Sequence, residues 1–165
     1  MGWLVLRFLS GVKMRVMAID YGAKAIGAAI SDELQLTVRP LVTIRREKRK
    51  YAQIIEQIGA LITDNEIGTL VVGLPLNMDG TRGPAVERVE SFIEDLRRSL
   101  SIPIVTVDER LTSYEADQMM REMGMNERER RARSDEYAAT IILQDYLDGL
   151  KLTDPPDISS PDFSL

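Results

Sequence analysis

The chain has 165 residues, 44% of them hydrophobic, a formal net charge of -5, and neither histidine nor cysteine. That composition suits one globular domain and excludes wholesale disorder, disulfides, thiol catalysis and any imidazole or thiolate metal site. The negative charge argues against strong non-specific binding to a polyanion, and the cytoplasm is the expected location.

Residues 1–13 carry an apolar patch with Trp3, Leu4, Val5, Leu6, Phe8 and Leu9 around Arg7. It is shorter than the about 20 apolar residues that span a bilayer, so no membrane association is expected. Met14 stands where the first strand should begin, so the patch is assigned as an extension. Val16 to Asp20 then predicts a strand, Ile26 to Ser31 a second after a turn at Gly22, and Leu36 to Ile44 a third. Pro40 inside that third run points to an edge strand or a bulge. A basic stretch follows at Arg45, Arg46, Lys48, Arg49 and Lys50.

Tyr51, Ile54, Ile55, Ile58, Leu61 and Ile62 fall at helical spacing. Leu70 to Gly73 predicts a fourth strand, the Asn77 to Gly83 loop contains the turn pair Asp79-Gly80, and Pro84 suits the first position of a helix. That helix should bury Val86, Val89, Phe92, Ile93, Leu96 and Leu100. A fifth strand, Ile102 to Val107, ends in Asp108 and Glu109. Thr112 and Glu115 have the spacing of a capping box, ahead of a helix with Met119, Met120 and Met123 on its inner face. Beyond Gly124, the arginine-rich segment 126–133 is expected to be a loop leading to a final helix from Ser134, with Ala138, Ile141, Ile142 and Leu150 in the core. Residues 151–165, with prolines, serines and aspartates, are expected to form a disordered tail to a domain spanning residues 14–150.

Three meander strands followed by alternating helix and strand predict an α/β fold with a mixed five-stranded sheet, three strands antiparallel and two parallel, flanked by helices. Right-handed crossovers place strand four beside strand one and strand five beside strand four. The carboxyl ends of strands one and five are then close, and Asp20 and Asp108 converge where open α/β sheets carry their chemistry. Clustered carboxylates resist ionisation unless a cation lies between them. With only oxygen donors on offer, Mg²⁺ or Mn²⁺ is the matching ion. Each acid also has a plainer reading: Asp20 as a turn former before Gly22, Asp108 and Glu109 as a solvated strand end paired with Arg110.

Asp20-Tyr21-Gly22, the run from Gly73 through Leu74, Pro75, Leu76, Asn77, Met78, Asp79 and Gly80 to Thr81, then Asp108-Glu109-Arg110-Leu111-Thr112-Ser113, and Ser134-Asp135 with Ala138-Ala139 occur in one order. Together they resemble the YqgF/RuvX family of Holliday-junction-resolvase-like proteins over about residues 14–150. The resemblance implies a ribonuclease H-like fold and a metal-dependent nuclease maturing the precursor of 16S ribosomal RNA. It matches Asp20, Asp108 and Asp135 to the family's acidic, metal-holding positions, with Glu109 as an adjacent helper. Asp135 is expected in the first turn of the last helix, where the dipole favours an anion.

Expected contacts to nucleic acid are Lys24, Asn77, Arg82, Arg110, Arg130, Arg131 and Arg133. Ala25 departs from the family pattern, standing where an arginine is common. More distant resolvases carry an acid at the end of strand four, where Gly73-Leu74-Pro75 supplies none. Branched DNA is the alternative substrate, and a non-catalytic ribosome-assembly factor the alternative function. Asp20-Tyr21-Gly22 with Gly27 also resembles the phosphate loop of actin-like ATPases, whose second lobe this chain has no room for. Monomer and homodimer are both open.

Overall fold

A computed structural model describes residues 13–47 and 49–153. The extension expected before Lys13 and the tail after Thr153 lie outside the described residues. The elements are β1 (Arg15–Tyr21), β2 (Ala25–Ser31), β3 (Val38–Arg45), α1 (Tyr51–Asp64), β4 (Ile67–Leu74), α2 (Pro84–Ser99), β5 (Ile104–Asp108), α3 (Thr112–Glu122) and α4 (Glu127–Thr153). The sheet order is β3-β2-β1-β4-β5, as expected. Short connections join the antiparallel pairs β1/β2 and β2/β3. The parallel pairs β1/β4 and β4/β5 are bridged by α1 and α2, because a parallel return needs a crossover.

Side chains alternate along each strand, so the sheet buries two apolar faces. Met17, Ile19, Ile26, Leu70 and Val72 pack with Ile54, Ile58 and Ile62 of α1 and with Val89, Phe92, Ile93 and Leu96 of α2. On the opposite face Val16, Ala18, Ala29 and Val71 meet Ala139, Ile142, Leu143 and Leu147 of α4. Each large aliphatic or aromatic side chain fully removed from water contributes roughly 1.5–3 kcal/mol, so both layers are strongly held. Pro40 lies on the edge strand, opposite Ala29 at a register shift, where its missing N–H costs no ladder bond.

The structure corrects five expectations. The last helix starts at Glu127 rather than Ser134, because Asn126 and Glu129 form a reciprocal cap: Glu129 N donates to Asn126 Oδ1 at 3.0 Å and Asn126 N to Glu129 Oε2 at 2.8 Å. It also runs to Thr153, into the segment expected as tail. Thr112 makes no cap bond; it is buried as the first residue of α3, after Leu111. Of Met119, Met120 and Met123 only Met120 is buried, and Leu147 rather than Leu150 fills the end of the α4 core.

Candidate active site

Asp20 lies near the carboxyl end of β1 on the face that α4 covers, in register with Gly27 of β2. Gly27 decides what lies above it: a β-carbon there would stand 1.9 Å from the Asp135 carbonyl carbon and 2.3 Å from Glu136 N. With no side chain at Gly27 the α4 backbone rests directly on the sheet, and Asp135 is delivered beside Asp20. Asp135 therefore sits in the third turn of a long helix, not in a first turn, and its position owes nothing to a helix N-terminus. A β-carbon at Gly22 would meet Asp135 Oδ1 at 3.1 Å, so the β1–β2 turn walls the other side.

The sequence places two acids at the end of β5, and their partners differ. Gly73 pairs with Val107 and Leu74 with Asp108. Leu74 packs under α1 and α2, and Asp108 is its register partner at the strand end. Its carboxylate binds Arg110 Nε at 2.7 Å and lines an open pocket of about 310 Å³ with Met78, Leu111, Thr112, Glu115 and Asp145. Glu109 is anchored by its N–H to Leu74 O at 3.1 Å. Its Oε2 lies 2.5 Å from where a β-carbon on Gly73 would stand. The structure groups Asp20, Glu109 and Asp135, with Asp108 near enough for its charge to act on Glu109 as well.

Electrostatics show how tightly the three are held. Burial raises the Asp20 carboxyl, although Glu109 and Asp135 lie within hydrogen-bonding reach. Burial, followed by the charge of Asp20, pushes Glu109 up to about 9. Asp135 rises to about 6 for the same two reasons. Carboxyls this close share protons when no positive charge lies between them. Among the described residues no acidic set already stands splayed as the ligands of one ion. The donor chemistry nevertheless fits a hard divalent cation: oxygen ligands only, mutual repulsion that a cation relieves, and side chains held by glycine-sized gaps.

A family model described as RuvX, Holliday junction resolvase, matches residues 14–149. The chain belongs to this family. A Roseiflexus sp. (strain RS-1) protein named "Putative pre-16S rRNA nuclease" is 48% identical over 134 residues, covering 81% of this chain and 94% of the relative. A protein of the same name from Anaeromyxobacter sp. (strain Fw109-5) is 42% identical over 136 residues, with 82% and 98% covered. Among solved structures, Thermus thermophilus RuvC in complex with a Holliday junction substrate superposes with a TM-score of 0.51 at 14% identity, covering 83% of this chain and 96% of that one. A second T. thermophilus RuvC structure gives 0.52 at 11% identity, covering 84% and 97%. The fold is the ribonuclease H-like fold of those resolvases.

In this RuvX chain most of the expected nucleic-acid contacts are engaged within the protein. Arg82 pairs with Glu90, Arg131 with Glu127, and Arg110 with Asp108. Arg130 binds Asp117 at 2.8 Å and Met125 O at 3.1 Å. Arg133 binds Glu136 Oε1 at 2.5 Å and lies over the Tyr137 ring. Asn77 Nδ2 donates to Thr81 Oγ1 at 2.9 Å, closing its own loop. Lys24 is exposed on the β1–β2 turn.

Sequence patterns assign no role to two residues that shape the site. Glu136 is buried and accepts from Thr43 Oγ1 at 3.1 Å, which locks α4 onto β3. Arg46 donates to Gly22 O at 2.7 Å and to the Tyr21 hydroxyl at 2.7 Å, stacking on the Tyr21 ring. It clamps the turn that follows Asp20. Its place in a basic run is the available signal, but these partners are 24 and 25 residues away along the chain.

Proposed function

We propose that this protein is a divalent-metal-dependent nuclease that hydrolyses phosphodiester bonds in the precursor of 16S ribosomal RNA. The observation that carries this reading is the convergence of Asp20, Glu109 and Asp135 at the carboxyl end of the sheet. Relatives that align along nearly their whole length carry the pre-16S rRNA nuclease name.

Asp20, Glu109 and Asp135 would hold Mg²⁺ or Mn²⁺, which when bound lowers the pKa of the attacking water and stabilises charge on the phosphoryl oxygens. The chain supplies position. Gly27 and the Glu136–Thr43 bond seat Asp135, the Arg46 clamp fixes the turn after Asp20, and the gap at Gly73 receives Glu109. Glu109 is the group whose proton state must change most, since it holds its proton at neutral pH until positive charge arrives. Asp108 and Arg110, paired beside the group, would meet substrate.

The test is Mg²⁺-dependent cleavage of a precursor 16S RNA fragment and of a four-way DNA junction, with Asp20→Asn beside the parent. RNA cleavage that disappears in the variant supports the reading. Cleavage of the junction alone favours branched DNA, the substrate class in the family description. Cleavage that persists unchanged in Asp20→Asn removes the assigned chemistry, and RNA binding without cleavage leaves an assembly factor.

A further inference from the structure

We propose that Arg45 at the end of β3, Arg49 and Lys50 on the β3–α1 connection, and Lys24 on the adjoining β1–β2 turn form the track that holds the phosphate backbone of a nucleic-acid strand beside the carboxylate group. The inference rests on the nuclease reading and names the surface that would serve it.

Arg45 joins the track to the face of the site. Arg45 pairs with Ala25, and Gly27 links Thr43 to Asp20 across the sheet. Arg45 therefore shares the parity of Thr43 and the sheet face of Asp20. From strand geometry the two lie roughly 12 Å apart, two strand spacings across and two residues along. That is a few phosphates at about 3.4 Å of axis per strand charge. The two turns are tied together by Arg46, whose N–H donates to Lys24 O at 2.9 Å while its guanidinium holds Gly22 O and Ala23 O.

The cations are also available. Arg45, Arg49, Lys50 and Lys24 are exposed, and none is paired with a carboxylate among the described residues; Arg49 meets only the neutral Gln57. The five arginines Arg82, Arg110, Arg130, Arg131 and Arg133, by contrast, are each neutralised within the protein. Folding does not account for the placement either. Lys50 is the N-cap of α1, whose first turn holds no acidic residue, so positive side chains accumulate where the helix dipole disfavours them. A local rule broken without structural return is expected at a functional surface. A polyanionic strand supplies the missing negative charge.

The experiment uses the full chain with Asp20→Asn, in EDTA, binding a fluorescein-labelled single-stranded RNA followed by anisotropy across a salt series. Replacing Arg45, Arg49 and Lys50 together by Gln should flatten the slope of log affinity against log salt by about 2, near 0.7 for each phosphate no longer neutralised. Arg97→Gln with Arg98→Gln, at the far end of α2, should leave the slope in place, and circular dichroism confirms that both variants are folded. An unchanged slope in the triple variant, or an equal change in the α2 variant, overturns the track. Separately, the Asp20 parent assayed for cleavage with Mg²⁺ reports on the nuclease reading. Binding through the track without cleavage sinks that reading and leaves the track standing; cleavage with an unaffected triple variant does the reverse.

Discussion

At the scale of single residues, the neighbours Asp108 and Glu109 have different partners: Glu109 joins Asp20 and Asp135, and Asp108 pairs with Arg110. Glu109→Gln is expected to lower Mg²⁺-dependent cleavage by at least about 100-fold, the upper range for groups that support a metal site, while Asp108→Asn stays within several-fold of the parent. Single-turnover rates on one substrate decide between them, and the opposite ranking would return Asp108 to the centre. The raised carboxyls also fix a pH dependence. Their folded pKa values exceed the unfolded ones, so the native state binds more protons, and the stability this supplies at low pH is lost as pH rises through about 6 for Asp135 and about 9 for Glu109. In EDTA the melting temperature should therefore fall from pH 5 to pH 9, and more gently in Glu109→Gln. A melting temperature that climbs over this range contradicts the shared-proton arrangement.

Among elements, α4 and β2 set the site between them. Gly27→Ala would force a methyl into the α4 backbone at Asp135. A destabilisation of about 1–3 kcal/mol is expected from overpacking. Activity should drop by about 100-fold, since a displacement near 1 Å of a reacting group has that effect. Urea melts and cleavage rates measure the two together, and a fully active, fully stable variant would show that α4 is not seated as described. The sheet order was legible because strand lengths, the Pro40 edge signal and crossover handedness all agree. The start of α4 was not: its first turns hold charged side chains with no apolar stripe, and only the Asn126 to Glu129 spacing marks the cap. Nor did the sequence separate Asp108 from Glu109, because the end of a strand is the least certain feature of a short apolar run.

For the whole molecule, the net charge of -5 points away from a polyanion, yet charge acts where it is placed. Acids gathered at the sheet end and cations along the neighbouring connection cancel in a sum and remain distinct in space. Cation binding to the acidic group should register globally. Mg²⁺ at 100 times its dissociation constant adds about 2.7 kcal/mol to a native state that alone binds it, which for a domain of this size raises the melting temperature by about 5–10 °C. Differential scanning fluorimetry at pH 8 with and without Mg²⁺ checks this. A shift that survives in Asp20→Asn would place the ion elsewhere.

The gap at Gly73 has one more consequence. Glu109, which follows β5, fills the volume that a side chain on β4 would otherwise take, so the two positions compete for one small space. Gly73→Glu alone crowds two acids into one volume and Glu109→Gly alone empties it, and both should abolish cleavage. The exchange of the two residues should recover a measurable part of it, a coupling that a double-mutant cycle quantifies.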